Sequence, residues 1–268
     1  MQCRVCDHNN LNPSLVAEYP DRNEKYYRCS SCRSIFLYPL PETDLNLAFS
    51  GDEAAERRDI TESKRKNYFY DRLSLINNLT APGNLLEIGC GAGYFLRAAS
   101  EKGWRVSGVE LSPELSSRAS ENNPEAVIYT GDFLSIKEIA ETQYRFICAL
   151  DVLEHVTNPE AMINRCAQLL EKDGILLIQT PNALSLRARI TKKNWNMLNP
   201  DYHFHLYSGK ALTETFKKNG LSLLNLSTAS GVGEERGFRK AAMNLRQYIL
   251  SILGLGNALL ALAKKKNL

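Results

Sequence analysis

The chain has 268 residues, of which 44% are hydrophobic and 24% charged, and its formal net charge is +3 at pH 7. This composition supplies enough apolar surface for one α/β core with a small appendage, and it argues against a strongly basic nucleic-acid binder. Seven cysteines, an odd number, and the absence of an apolar signal segment after Met1 predict a cytoplasmic protein in a reducing environment.

Two C-x-x-C pairs open the chain. Cys3 and Cys6 form one pair, Cys29 and Cys32 form the other, and twenty-two residues separate the pairs. This spacing is typical of four thiolates around a tetrahedral zinc ion. Because four cysteines fill the coordination shell, we expect a structural zinc rather than a catalytic one, in a zinc ribbon that covers residues 1–43. Disulfide pairing and free thiols are the alternatives.

A connector is expected over residues 44–80. It is Pro-rich at first and then charged, with a helical pattern from roughly Asp52 to Leu79. The main domain is expected to occupy residues 81–268, where apolar segments of strand length alternate with helical patterns.

A glycine-rich turn is the most informative motif of the chain. The apolar strand that contains Glu87 runs into Gly89, Gly91 and Gly93, and a helical pattern begins directly after them. Glycines at such a turn permit positive φ and let the backbone approach a ligand closely. Their spacing is G-x-G-x-G, whereas a dinucleotide-binding turn reads G-x-G-x-x-G. The motif predicts a nucleotide-cofactor turn, and tight packing alone is the alternative.

The strands that follow end in acidic residues. Residues 104–110 predict a strand that ends at Glu110, where a carboxylate can accept hydrogen bonds from ribose hydroxyls and Leu111 would flank the base. Further strands are expected at residues 126–130, 144–150 and 175–179. Asp132 and Asp151 follow the first two of these. Because the carboxyl ends of parallel strands meet at one edge of a sheet, these acids and the glycines should share a ligand-binding edge.

Together these motifs resemble those of the class I S-adenosylmethionine-dependent methyltransferases, from about residue 80 to residue 228. The resemblance implies a Rossmann-like, doubly wound α/β sheet of seven strands. It also implies that Asp132 meets the adenine amino group and that Phe133 packs on the adenine ring. The residues that it assigns to S-adenosylmethionine are Glu87, Gly89, Gly91, Gly93, Glu110, Leu111, Asp132, Phe133 and Asp151. With its zinc ribbon, the whole chain resembles bacterial members that act in surface-glycan or specialised-sugar pathways.

The segment after the fifth strand, residues 183–207, is expected to cover the acceptor, because it follows the cofactor edge and is too long for a plain loop. Its basic cluster either holds a phosphate or forms a solvated helix face, and an aromatic side chain nearby could cover a ring. These side chains are Arg187, Arg189, Lys192, Lys193, Trp195 and Tyr202. His203 is the first candidate for the base that removes a proton from the acceptor, and His155 is the second.

The last third predicts a helix from Ser208 to Lys218 and a sixth strand at 221–228. Residues 256–266 either resemble the family's antiparallel seventh strand or form a helix. Residues 234–268 carry seven basic side chains against two acids, which would let this tail contact anionic lipid at the inner membrane face. The apolar run at 248–263 is too short to span a bilayer.

The resulting hypothesis is methyl transfer to a small or lipid-linked acceptor, namely a sugar or glycan intermediate that bears phosphate. One alternative is a ribosomal RNA methyltransferase, since some of these enzymes also carry a zinc module before this fold. Residues 1–45 hold five basic side chains against six acids, and this balance disfavours RNA. The other alternative is a non-catalytic cofactor-fold protein whose ribbon binds a partner, which the intact glycine motif disfavours.

Overall fold

A computed structural model describes residues 1–9, 13–41, 52–63, 66–77, 79–229 and 248–266. The chain divides into two compact units, neither of which is continuous in sequence. The first unit contains Met1–Glu42, Asp151–Ile163 and Ile178–Ala263. The second unit contains Thr43–Leu150, Asn164–Leu177 and Lys264–Leu268.

A small antiparallel sheet forms the N-terminal part of the first unit. Its strands are β1 (Ser14–Glu18), β2 (Lys25–Arg28), β3 (Ile35–Tyr38) and β9 (His205–Leu206), in the order β1-β2-β3-β9. Ile35 pairs with Leu206 and Phe36 pairs with His205. The segment at 183–207 therefore ends in a strand that completes the ribbon sheet, a role that its sequence did not predict.

The connector forms two helices, α1 (Asp52–Ser63) and α2 (Lys66–Asn77), where the sequence indicated helical structure from Asp52 to Leu79. Of the aromatic residues in α2, Tyr68 and Phe69 are buried. Phe69 packs edge-on against Phe95, with ring centroids 6.4 Å apart. These contacts hold the connector against the helix that follows the glycine turn.

The main sheet has seven strands, as predicted. They are β4 (Asn84–Ile88), β5 (Arg105–Glu110), β6 (Val127–Thr130), β7 (Tyr144–Leu150), β8 (Leu170–Pro181), β10 (Leu221–Ala229) and β11 (Ala258–Lys265). Their order is β10-β11-β8-β7-β4-β5-β6, and β4 pairs in parallel with β5 and β7 while β5 pairs in parallel with β6. The strand alternative for residues 256–266 is correct, because β11 lies between β10 and β8.

Helices alternate with these strands. They are α3 (Tyr94–Ser100), α4 (Pro113–Asn122), α5 (Pro159–Leu169), α6 (Leu186–Thr191) and α7 (Gly209–Lys218). Serine side chains cap the start of two of them. The Oγ of Ser112 accepts from the amide of Leu115 at 3.3 Å, and the Oγ of Ser208 accepts from the amide of Ala211 at 3.1 Å. Each bond satisfies an amide that the first helical turn leaves unpaired.

One strand is longer than predicted. The sequence placed the fifth strand at 175–179, after a turn at Asp173 and Gly174, whereas β8 runs from Leu170 to Pro181. Asp173 has φ 65, a conformation that aspartate tolerates better than most residues. The chain therefore bends at Asp173 without leaving the strand.

Part of the C-terminal tail forms polar contacts within the second unit. The Nζ of Lys264 lies 3.0 Å from a carboxylate oxygen of Asp173, and the Nζ of Lys265 donates to the carbonyl of Leu170 at 2.7 Å. Residues 230–247, which hold Arg236, Arg239, Lys240 and Arg246, lie outside the described residues. None of the helices in the described ranges is long and apolar enough to cross a bilayer.

One charged side chain interrupts the core of the second unit. Glu87 lies in the central strand β4, paired with Gly108 on one side and Cys148 on the other, and its residue surface is 3% exposed. Its Oε2 has no hydrogen-bond partner among the described residues. Burial, and then the nearby carboxylates of Glu62 and Glu110, raise the pKa of Glu87 well above its ordinary value. An acid in such a site costs stability when it ionises.

We expect Glu87→Gln to stabilise the cofactor-free protein at pH 7. The folded protein holds the Glu87 proton to higher pH than the unfolded chain, in which Glu titrates near about pH 4.3. The free energy of unfolding is therefore highest below the pKa of Glu87 in the unfolded chain. It falls as the pH rises from that value toward the raised pKa of Glu87 in the folded protein. At pH 7 the variant should unfold at a temperature on the order of 2 °C above that of the parent protein. This difference in unfolding temperature should become smaller toward pH 4.

Thermal unfolding followed by circular dichroism between pH 4 and pH 7 measures this difference. Glu125→Gln, at an exposed position, is the matched control and should leave the profile unchanged. A Glu87→Gln protein that unfolds earlier than the parent at pH 7, with the same pH profile, would contradict the analysis.

Candidate functional site

The glycine-rich turn lies directly between β4 and α3. The amides of Gly89 and Cys90 donate to the carbonyl of Val109 at 2.8 and 3.0 Å, which joins the turn to the end of β5. Gly91 has φ 54, and a Cβ atom there would lie 2.5 Å from Oε2 of Glu62. The positive φ favours glycine at this position, and the absence of a side chain lets the Glu62 carboxylate reach the backbone of the turn.

Gly93 closes the turn by packing against α4. Its φ is 80, and a Cβ atom there would lie 2.4 Å from Nδ2 of Asn123 and 3.2 Å from Cα of Ala119. The same Nδ2 donates to the carbonyl of Gly93 at 3.0 Å. The third glycine of the motif is therefore required for close packing of two segments of the second unit.

Glu110 anchors the end of β5 to the glycine turn. Its Oε2 accepts from the amide of Gly91 at 2.8 Å, and its Oε1 accepts from the amide of Ser112 at 3.0 Å. The residue is 3% exposed. Each carboxylate oxygen has two lone pairs, so both can accept a further hydrogen bond. The anchored group suits a ligand with two adjacent hydroxyls, as the sequence predicted for Glu110.

Three carboxylates meet around this turn. Besides Glu87 and Glu110, Glu62 of α1 accepts from the amide of Ala92 at 3.3 Å through Oε2. Like charges so close together raise the free energy of the ionised site, and a cationic ligand would offset that cost. Glu62 could not be predicted from the sequence, because nothing in the charged pattern of α1 distinguishes it from its neighbours.

The end of β6 lies beside the end of β5. The amide of Gly131 donates to the carbonyl of Glu110 at 2.8 Å. Asp132 is exposed, and its carboxylate accepts from the amide of Leu134 at 3.1 Å and from Oγ of Ser135 at 3.2 Å. Phe133 is buried, with the guanidinium of Arg165 lying 5.1 Å from its ring centroid. The structure thus brings the ends of β5 and β6 together, with Leu111 half-buried directly after Glu110.

A second group of polar side chains lies within the first unit. One ligand atom from each of Glu154, His155 and His203 lies within 4.8 Å of the others. Oε2 of Glu154 accepts from Oγ1 of Thr180 at 2.9 Å, and Glu154 is 1% exposed. The two imidazole centroids are 4.9 Å apart. The sequence predicted both histidines and missed Glu154, although the acid directly precedes His155.

Hydrogen bonds to the backbone set the tautomers of both histidines. Nδ1 of His155 lies 2.6 Å from the carbonyl of Tyr202, and Nδ1 of His203 lies 2.7 Å from the carbonyl of Met197. A carbonyl only accepts, so each Nδ1 carries the proton and each Nε2 carries the lone pair. Burial lowers the pKa of His203, which keeps its ring neutral at pH 7. The cluster can accept a proton, and its atom types also suit a divalent cation.

Asp151, predicted at the cofactor edge, adopts φ 58 directly after β7. Its amide donates to the carbonyl of Gln179 at 3.0 Å, and its Oδ1 accepts from Nε2 of the same residue at 2.8 Å. Gln179 therefore holds Asp151 through both backbone and side chain.

The four predicted metal ligands form one cluster in the first unit. The Sγ atoms of Cys3 and Cys32 are 3.9 Å apart, those of Cys6 and Cys29 are 3.7 Å apart, and all four lie within 4.8 Å of one another. Sulfurs bound at about 2.3 Å to a tetrahedral zinc are about 3.8 Å apart. The amide of Cys32 also points to Sγ of Cys29 at 3.4 Å. The arrangement fits a closed zinc site.

Comparison with curated proteins finds relatives with a shared function in their names. The chain is 33% identical over 122 residues to a ubiquinone biosynthesis O-methyltransferase of Glaesserella parasuis, which covers 41% of this chain and 52% of the relative. It is 30% identical over 122 residues to the enzyme of the same name from Xanthomonas oryzae, covering 44% and 49% respectively. The chain spans about half the length of these curated relatives.

Two solved structures have the same fold. The complex between the Haloferax volcanii Trm112 methyltransferase activator and a putative methyltransferase gives a TM-score of 0.62 at 17% identity, over 84% of this chain and 99% of that chain. Magnesium protoporphyrin IX methyltransferase from Synechocystis, solved with bound S-adenosylhomocysteine, gives 0.55 at 16% identity, over 75% and 84%. A family model described as "Methyltransferase domain" matches residues 61–226. Since that match covers more than half of the chain and includes the glycine turn and the acidic strand ends, this protein belongs to the methyltransferase domain family.

Proposed function

We propose that this protein transfers a methyl group from S-adenosylmethionine to a hydroxyl of a small or lipid-linked acceptor. The observation that carries the proposal is the group of carboxylates around the glycine turn. Glu87 is buried with Oε2 unpartnered among the described residues, and the nearby carboxylates of Glu62 and Glu110 help to raise its pKa. S-adenosylmethionine supplies an activated methyl group on a positive sulfonium, and its positive amino group suits such a site.

Each residue at the turn has a role in this proposal. Glu110 binds the ribose hydroxyls while it holds the glycine turn, and Glu87 and Glu62 attract the amino group of the cofactor. Leu111, Asp132 and Phe133 contact the adenine. The assignment of Asp151 to the cofactor stays a prediction from the sequence. For Asp132 this role requires a change of partners, because its carboxylate now caps its own turn.

Cofactor binding is the first test. We expect isothermal titration calorimetry to give micromolar binding of S-adenosylmethionine and S-adenosylhomocysteine to the zinc-loaded protein. Glu110→Ala should weaken binding by about tenfold or more, the usual effect of removing hydrogen bonds to a charged group. The measurement is made on protein whose thermal unfolding confirms a folded state, because Glu110 also supports the turn.

Glu121→Ala is the matched control, since Glu121 is an exposed acid of α4 and should bind the cofactor as the parent does. A folded parent protein that binds neither compound would refute the enzyme proposal. It would favour the non-catalytic alternative, in which the ribbon binds a partner.

We further propose that the imidazole pair acts on the acceptor. Methyl transfer to a hydroxyl requires removal of its proton, and position contributes more than the base itself. His203 is neutral and directs an unprotonated Nε2 away from its backbone bond, so it is the first candidate for this base. His155, fixed in the same tautomer, is the second, and Glu154 positions the pair through its place in the cluster.

In an assay with an acceptor that the parent protein methylates, His203→Ala should lower kcat by about a hundredfold. The affinity for S-adenosylmethionine should stay unchanged. His155→Ala should lower kcat less. The exposed His8→Ala serves as the control and should keep parental turnover. Full turnover in both the His203 and the His155 variant would exclude a histidine base.

The acceptor is the least constrained part of the proposal. The sequence analysis favoured a sugar or glycan intermediate that bears phosphate, and none of the relatives described above has a name that supports a glycan. The names of the two curated relatives instead favour an acceptor of ubiquinone biosynthesis as the second candidate. Nucleotide sugars, lipid-linked glycans and hydroxylated quinones are therefore the three classes to assay for methyl transfer.

Zinc in the cysteine cluster is also part of the proposal. Four buried or half-buried thiols lie at the spacing that zinc requires, and the Cys3 and Cys32 thiols share a hydrogen bond that raises the pKa of Cys3. A bound zinc would hold these sulfurs as thiolates and link both knuckles.

Elemental analysis should find about one zinc per chain. Cys6→Ser should lower the zinc content and the thermal stability, because structural zinc contributes directly to folding. Ser31→Ala, which lies inside the second knuckle without a ligand role, is the control. Parental stability in a zinc-free Cys6→Ser protein would contradict a structural role for the metal.

Location and partners remain proposals of the same kind. A cytoplasmic protein with peripheral contact to anionic lipid agrees with the basic tail and with the exposed apolar residues Tyr248, Ile249, Ile252 and Leu253. Flotation with anionic liposomes tests whether the protein binds lipid. The Haloferax methyltransferase was solved with an activator, so a protein partner is a further proposal, whereas RNA stays disfavoured.

A further inference from the structure

A cavity of about 630 Å³ lies within the first unit, apart from the histidine cluster and the cysteines. Its wall is formed by the ribbon sheet and by the segment around α6. Four cations line it, namely Arg28, Arg33, Arg189 and Lys192, and none of its lining residues is acidic. The size falls in the range of small-molecule sites, about 300–1,000 Å³.

The described residues of the protein do not neutralise the positive charge of this cavity. In the part of the chain that the structure describes, none of the four cations forms a salt bridge. Arg28, Arg33, Arg189 and Lys192 line the same cavity, so their like charges repel one another. An anion bound among them would relieve this repulsion and form charge-assisted hydrogen bonds.

Two of the cations donate hydrogen bonds to backbone carbonyls. Nη1 of Arg28 donates to the carbonyl of Arg33 at 2.9 Å and points to that of Ala183 at 3.4 Å. Nε of Arg189 donates to the carbonyl of Leu184 at 3.0 Å. Each guanidinium keeps further N–H donors in its planar fork, which matches phosphate geometry. Such preorganisation lowers the entropy that binding an anion costs.

The ribbon supplies half of the charge. Arg28 ends β2, and Arg33 directly follows Cys32, with φ 68 and its amide donating to the carbonyl of Cys29 at 3.1 Å. The cysteine knuckle thus sets the position of Arg33. Although residues 1–45 are acidic in total, their arginines Arg28 and Arg33 meet at one cavity.

Apolar groups lie beside the cations. Trp195 is 4% exposed and Ile35 is 1% exposed, and both line the cavity together with the exposed Leu15. A free inorganic ion would leave this apolar surface unused. The combination suits a phosphate or pyrophosphate that is esterified to an organic group.

We propose that this cavity binds the phosphate or pyrophosphate ester group of the methyl acceptor, with Arg33 of the ribbon and Arg189 of α6 as its principal ligands. The identity of the ligand as an acceptor rests on the proposed methyl transfer, whereas the anion site rests on the cavity alone. The ribbon then serves in substrate recognition in addition to any structural role of its metal.

Inorganic pyrophosphate is the first probe, titrated calorimetrically into the full-length, zinc-loaded protein. Arg189→Ala and Arg33→Asn should each weaken its binding by about tenfold or more, the effect of losing a charge-assisted hydrogen bond. Asparagine is chosen at position 33 because it tolerates positive φ. Zinc content and thermal unfolding of each variant establish that the ribbon is intact.

Arg187→Ala and Lys193→Ala are matched controls, since both residues are exposed cations of the same segment that do not line the cavity. They should bind pyrophosphate within twofold of the parent. Equal losses in the controls and the cavity variants would overturn the proposal in favour of non-specific charge attraction. The absence of pyrophosphate binding by the parent would also overturn it.

Two organic probes then identify the source of the phosphate. Uridine diphosphate glucose and a short prenyl pyrophosphate are each compared with inorganic pyrophosphate, and tighter binding of one of them assigns the organic part. If neither binds more tightly, the assignment to an acceptor fails. S-adenosylmethionine binding is measured on the same samples, so that loss of the cofactor site and loss of the anion site are told apart.

Discussion

The two hydrogen bonds accepted by the Glu110 carboxylate organise the cofactor edge of the second unit. One oxygen holds the glycine turn through Gly91, and the other holds the start of α4 through Ser112. Both bonds use backbone amides, so the arrangement depends on an acid at that strand end and on the conformation of the turn. The same carboxylate keeps lone pairs for a ligand, and a single residue therefore serves both the fold and the proposed binding site.

The acidic residues around the glycine turn lower the stability of the folded protein. Glu87 has no partner for Oε2 among the described residues, and a buried acid of this kind reduces stability without improving packing. Perturbed groups of this kind are concentrated at functional sites, where stability is given up for binding. Glu62 extends the pattern, because its helix brings a third acid to the turn rather than a cation that would neutralise it.

Much of the fold could be predicted from short-range sequence patterns. The strand that ends at Glu110, the glycine turn and the helix that begins near Ser208 depend on neighbouring residues, so local sequence patterns were enough to predict them. The pairing of β3 with β9 depends on residues that are far apart in the chain, and a strand of two residues leaves no periodic signal. Glu62 and Arg33 were missed for the same reason, because their partners come together only through tertiary structure. The cysteine spacing was informative because metal geometry restricts the sequence directly.

The ribbon sheet has a consequence for the order in which the chain assembles. The amide of Ser208 donates to Oγ of Ser34 across a separation of 174 residues, and β9 covers an edge of β3 from the same region. Closure of the cysteine knuckles requires only a short loop and can take place early, whereas the contact with β9 must wait until most of the chain has been synthesised. On the ribosome, the N-terminal strands would therefore emerge with one sheet edge uncovered until β9 is synthesised.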